Sequence, residues 1–221
     1  MFKYGFNGGE IRGFTEKQGI KKLMSILLQN LPELLRLNLL FILCSLPVIT
    51  IPAAMTAAAS VTTKMVREEV FFFKEDFFEV FKGHILKSLG LCAPAAVIFT
   101  GAFYLLPFYR AGLEISPVFY IPLVIVVLTV LMALFMGMYA FPMLTAVELS
   151  AVQVLRNSAI LALLQLNKTG AAFAACLLLC LFTIITLPVS LLIIATCLFS
   201  LISLISSFCA WDGICKYVLK G

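Results

Sequence analysis

Four stretches of the chain contain no Asp, Glu, Lys or Arg: residues 37–63, 88–109, 115–147 and 169–211, with lengths of 27, 22, 33 and 43 residues. A helix needs about 20 predominantly apolar residues to cross the hydrocarbon core of a bilayer, so these runs hold at least five crossings. Within them the apolar residues follow one another without the alternation that a lipid-facing barrel strand shows over about ten residues. The pattern predicts an all-α, polytopic transmembrane helical bundle.

The first run is long for one helix and short for two. Ser45-Leu46-Pro47 and Thr50-Ile51-Pro52 suit a reversal inside it, because proline removes a backbone donor and clashes with the preceding turn. Lys and Arg favour cytoplasmic loops. A reversal near Pro47 to Pro52 puts Lys3, Arg12, Lys17, Lys21, Lys22 and Arg36 on the same side as Lys64, Arg67, Lys74, Lys82 and Lys87, whereas a single crossing opposes them. The expected apolar helices are then 33–49, 52–66, 86–106, 119–141, 171–187 and 190–210, with Pro188 breaking the last run. Fifteen of the sixteen bases fall inside and only Arg110 outside, so about six apolar helices with both termini cytoplasmic are expected. The second helix is short. About 15 residues at about 1.5 Å each rise only about 22 Å against a core of about 30 Å, so it is re-entrant or tucked against its neighbours.

The resulting plan is a single membrane domain over 1–221: a cytoplasmic N-terminal segment 1–32, a helical hairpin 33–66, a cytoplasmic amphipathic loop 67–85, four transmembrane helices within 86–211 and a cytoplasmic tail 212–221. No cleaved leader is expected, since 36 residues with six bases precede the first apolar run. Composition agrees with the plan, at 62% hydrophobic and only 12% charged, about half the charge of a soluble domain. The seven cysteines, an odd number, lie in or beside apolar runs, so no disulfide framework is expected.

Candidate chemistry is sparse. His84 is the only histidine, and the phosphate-cradling G-x-x-x-x-G-K-[ST] pattern is missing. Cys176 and Cys180 stand four apart on one helical face, yet two thiolates do not close a tetrahedral metal site. Ion-coupled transporters usually hold an ionisable residue inside the membrane, and these runs have none. Asn38, Thr62, Thr63, Gln165 and Asn167 suit hydrogen bonds between helices. The expectation is a protein that is not an enzyme, with no catalytic, cofactor-binding or metal-binding residues, no cofactor and no nucleic-acid partner.

Surfaces for neighbours are easier to find. Residues 53–60 and 170–175 are rich in small side chains, including Ala54, Ala58, Ala171 and Ala175. Small residues let helix backbones approach closely, either within the monomer or against another subunit's helices. Residues 71–85 form an amphipathic pattern in which Phe77, Phe78, Phe81 and Ile85 share a face, while Asp76, Glu79 and Lys82 point elsewhere. That helix either rests in the interface with membrane lipids or docks a cytoplasmic partner. Five bases balance five acids across 64–87, so anionic lipid exerts no special attraction. Residues 147–166, with Glu148, Arg156 and Lys168 as punctuation, read as a helix extension. Trp211-Asp212 fits an interfacial anchor at the end of the last helix, and Arg110 with Glu114 makes an exposed outer turn.

The stretch from Asn38 through Leu46-Pro47-Val48-Ile49-Thr50-Ile51 and Ala53–Ala59 to Lys64-Met65-Val66-Arg67-Glu68-Glu69 resembles the N-terminal signature of the YesL-like family of bacterial membrane proteins. Phe77-Phe78-Glu79-Val80-Phe81-Lys82 is similar to that family's aromatic-basic loop, and Phe141-Pro142-Met143-Leu144 with Glu148-Leu149-Ser150 to a later motif. Pro52, where a glycine is expected, and the outer loop depart from the pattern. The resemblance implies the bacterial cytoplasmic membrane and an association with carbohydrate-utilisation loci; no activity is attached to the family. The leading expectation is a non-enzymatic auxiliary subunit beside the permease subunits of a carbohydrate ABC importer. The alternatives are a component that couples sugar transport to a two-component sensor, and an independent small transporter or channel.

Overall fold

The structure, a computed structural model, describes residues 16–147, 149–185 and 197–218. The chain runs through α1 (Glu16–Gln29), α2 (Leu31–Ser45), a 3-10 turn (Val48–Thr50), α3 (Ile51–Val66), α4 (Phe73–Gly83) and α5 (Ile85–Gly112). A 3-10 turn at Pro117–Phe119 leads into α6 (Tyr120–Ala146), followed by α7 (Ala151–Leu164), α8 (Leu166–Ile185) and α9 (Phe199–Gly213), which ends in a π-helical turn, Ile214–Val218. Among the described residues every regular element is helical. Four segments are long and apolar enough to cross a membrane alone: α5, Pro117–Ala146, α8 and Phe199–Tyr217. A fifth arises if Lys21–Gln29 and Leu31–Ser45, bent by 75° against each other, count as one broken span. The break expected at Pro188 lies outside the described residues, as do Lys3, Arg12, Glu148 and Lys220.

α3 stands at the centre. Pro52 sits in its first turn, where the missing N–H costs nothing, and alanines fill the two turns that follow. Twelve of its 16 residues are buried, from Ala53 to Val66 and on every side of the helix. α1, α2, α4, α5, α6 and α9 all touch it. Apolar burial drives little association between helices in lipid, so close backbone approach and internal hydrogen bonds have to hold such a cluster. Alanine and hydroxyl side chains supply both here.

The hydroxyls pair across helices. Thr62 Oγ1 on α3 lies 2.8 Å from Ser207 Oγ and 3.0 Å from Ser203 Oγ on α9, and Thr56 Oγ1 lies 2.8 Å from Ser88 Oγ on α5. Tyr139 OH on α6 is 2.6 Å from Thr169 Oγ1 on α8 and 3.4 Å from Cys209 Sγ on α9. Ser206 Oγ donates to the Met138 carbonyl at 2.6 Å. Asn38, fully buried on α2, accepts from the backbone N–H groups of Phe199 and Ser200 at 3.0 and 3.2 Å. It thereby ties α2 to the first residues of α9.

Two helices are additional to the expected apolar set. Residues 16–29, placed in a cytoplasmic segment, form α1, whose Ile26 is buried and whose Leu23 and Leu27 pack against the core. The interior covers its apolar face, and Pro32 in the first turn of α2 fits the bend that follows Asn30. Residues 151–164 are not an extension of α6 but a separate helix. Val147 is extended, and a capping box starts α7, with Gln153 N–H on Ser150 Oγ at 3.4 Å and Ser150 N–H on Gln153 Oε1 at 3.0 Å. Such a reciprocal cap is a helix start signal.

Most of α5 and the first half of α6 lie outside the core. On α5 the buried residues are Ser88, Leu91, Ala102 and Gly112, and on α6 they are confined to the stretch from Phe135 to Leu144. Val97, Phe103, Phe108, Ile121 and Ile125 leave the distal parts of both helices apolar and uncovered.

If the Thr62 node holds α3 to α9, a double-mutant cycle of Thr62→Val with Ser207→Ala gives a coupling of about 0.6 kcal/mol, within the range up to about 1.7 kcal/mol of hydrogen bonds between membrane helices. Unfolding in mixed micelles measures it; additive single changes would remove the node from the account.

Candidate functional site

The end of the bundle that carries Lys64, Arg67, Lys168 and Lys216 is organised by ion pairs and by α4. α3 closes with Glu69 N–H bonding the Lys64 carbonyl at 3.1 Å and Glu68 N–H bonding the Met65 carbonyl at 3.2 Å. This is a Schellman turn in which Glu68, at φ 57°, takes the left-handed position that glycine usually fills. The reversal leads the chain back onto α3 as α4. Asp76 Oδ1 is 2.8 Å from Lys64 Nζ, and Asp76 Oδ2 accepts from the N–H of Phe72 at 3.0 Å, so one carboxylate ties α4 to α3 and caps its own helix start. Glu68 pairs with Lys22 of α1 at 2.8 Å. Arg67 pairs with Glu69 and stacks over Trp211 with its guanidinium carbon 4.7 Å from the ring centroid. Lys168 of α8 bonds Asp212 of α9 at 2.7 Å. Exposed pairs of this kind contribute little singly, but this set joins α1, α3, α4, α8 and α9 at one level.

The residues proposed for docking separate into two groups. Ala54, Ala58 and Phe77 are buried inside the chain and offer no surface to a second protein. Small side chains occupy all sides of α3, so these alanines meet the chain's own helices, and Phe77 is the anchor that fastens α4 to them, stacked on Phe81 at 6.0 Å and edge-on to Phe78 at 5.8 Å. Phe78 is 39% exposed, Phe81 and Ile85 are half-buried, Ala171 is exposed, and Ala175 lines an apolar groove of about 430 Å³ between α1, α8 and α9. These five stay available to a neighbour, although Phe78 and Ala175 lie on different elements and do not form one patch.

A second recess, of about 810 Å³, opens between the α1–α2 bend and the start of α4. Asn30, Glu33 and Arg36 line one part, Leu39, Leu40 and Leu43 another, and Phe71 to Glu75 the facing wall. The sequence reading missed this cleft. Its signal was the sequence of polar and apolar residues along α2, which is informative only once α4 is known to fold back against it.

His84 joins α4 to α5, with its Nδ1 buried and without a hydrogen-bond partner among the described residues. Cys176 and Cys180 lie half-buried on α8, and among the described residues no three His, Cys, Asp or Glu side chains come together. Ser158 Oγ, Thr63 Oγ1 and Gln165 Oε1 are also buried without hydrogen-bond partners among the described residues. Gln165 presses on Gly213, where an added Cβ would stand 3.2 Å from its Nε2.

Phe77→Ala removes the anchor of α4 and costs about 3–5 kcal/mol, as for other buried aromatic truncations. In sealed vesicles with this end accessible it speeds proteolysis between residues 67 and 84, whereas Phe78→Ala leaves the rate within about twofold of the parent. Equal sensitivity of the two variants would contradict the burial of Phe77.

No curated protein and no solved structure matches the chain. The segment that does match a known family runs from within α2 to within α5, taking in the hairpin, the Schellman turn and α4. Residues 34–105, about a third of the chain, match the model of a family described as "Protein of unknown function, DUF624", the family to which YesL-like proteins belong.

Proposed function

We propose that the protein is a non-enzymatic auxiliary subunit of the bacterial cytoplasmic membrane, standing beside the permease helices of a carbohydrate ABC importer. The observation that carries this reading is the uncovered apolar surface. Only 11%, 6% and 11% of the most apolar windows of α5, of Pro117–Ala146 and of α8 are buried, against 50% for Phe199–Tyr217. Lipid covers such faces by default, and partner helices replace lipid where packing is closer. The interior supports the same reading in another way: Thr62, Ser207, Tyr139, Thr169 and Asn38 spend their polar atoms on one another and on backbone, and so serve assembly.

In this reading both termini face the cytoplasm. The collar of Lys64, Arg67, Lys168 and Lys216 lies at the inner surface, with Phe78 and Phe81 beside it for a partner's cytoplasmic loops. The importer as partner rests on the resemblance to the YesL-like family. Sugar specificity then belongs to the importer, and this chain contributes lateral contact.

Affinity purification in a mild detergent, from cells expressing the tagged chain at its native level, recovers the permease and nucleotide-binding subunits of the importer. Recovery of the chain alone would overturn the proposal.

A further inference from the structure

The cleft beside α2 is graded in polarity along its length. Glu33 and Leu43 are both on α2 and both line it, and at about 1.5 Å per residue they stand about 15 Å apart along the helix axis. The polar end thus gives way to an apolar slot of Leu39, Leu40 and Leu43 within half the thickness of a bilayer core, about 15 Å. Leu39 is 58% and Leu43 65% exposed, so the slot opens sideways.

Four charged side chains line the cleft: Glu33 and Arg36 from α2, Lys74 and Glu75 from α4. None of them makes an ion pair with another described residue. The two cations converge on one ring, with the Arg36 guanidinium carbon 5.8 Å and the Lys74 ammonium 5.9 Å from the Phe73 centroid. Two like charges gathered at a partly apolar recess repel unless an anion lies between them. The two carboxylates beside them make the opposite demand, for a cation.

We propose that this cleft binds a phospholipid whose headgroup carries both a phosphate and a primary ammonium. The phosphate lies between Arg36 and Lys74, the ammonium reaches Glu33 and Glu75, and an acyl chain runs along Leu39, Leu40 and Leu43. A headgroup of net zero charge gives each of the four side chains an opposite partner. An anionic headgroup satisfies the two bases and leaves both carboxylates facing negative charge, which is discrimination by repulsion. The site is independent of any protein partner, so its test does not depend on the importer.

The full chain, purified in a detergent that strips lipid, is titrated with phosphatidylethanolamine or phosphatidylglycerol of identical acyl chains and read by native mass spectrometry. One saturable phosphatidylethanolamine adduct is expected, about fivefold or more tighter than phosphatidylglycerol. Glu33→Gln with Glu75→Gln abolishes the preference, and Arg36→Gln with Lys74→Gln weakens both lipids. Leu39→Trp keeps every charge and narrows the slot, so it loses the adduct even where a charge variant fails to fold. Equal affinity for the two lipids, a preference for phosphatidylglycerol, or no saturable adduct would overturn the proposal. So would a photoreactive side chain at position 39 that captures protein rather than lipid in intact membranes.

Discussion

α3 is enclosed by the chain's own helices, and that enclosure holds the other elements in place. A helix of 16 residues rises about 24 Å, short of the roughly 30 Å of a bilayer core. Its ends carry backbone groups that lipid cannot satisfy. Neighbouring protein covers them instead. At one end Pro52, in the first turn, removes one of the N–H groups, while Thr50 Oγ1, 2.6 Å from the carbonyls of Cys44 and Pro47, serves the end of α2 and the turn that begins at Pro47. At the other the Schellman turn takes up the carbonyls of Lys64 and Met65. Between these ends, alanine and hydroxyl side chains keep the neighbours close enough for Thr56 and Thr62 to bond helices on opposite sides.

α9 is the second organising element. It receives Asn38 at its start, Thr62 and Tyr139 along its length, and Lys168 and Arg67 at its end. Through it the short central helix is coupled to α2, α6 and α8, so the molecule has a tightly bonded base and long apolar helices that extend from it.

Much of this was legible in the residue pattern. The all-helical class follows from four charge-free runs, and the break between α2 and α3 from the prolines at 47 and 52. What was not legible was direction. Ala53, Ala54, Ala57, Ala58 and Ala59 occupy every side of α3, so no periodicity separates packing within the monomer from a face for another subunit, and the burial of Ala54 and Ala58 favours the first. Phe77 shares a face with Phe78 and Phe81 by spacing, yet the fold of α4 onto α3 buries the first and exposes the second. α1 is masked in the sequence by the charges of Lys17, Lys21 and Lys22, while Leu23, Ile26 and Leu27 carry its apolar stripe. The start of α7 was written in Ser150 and Gln153, a capping pair masked by the apolar residues on both sides.

Replacing each residue of α3 in turn by tryptophan, and scoring folded protein in the membrane, tests the enclosure directly. The account predicts loss of folded protein at Ala53, Ala54, Ala57, Ala58, Ala59 and Val61 alike, with tolerance at Met55, which is 41% exposed. A tolerant stripe recurring every three to four residues through the buried alanines would mean that α3 faces lipid along one side, and would contradict the account.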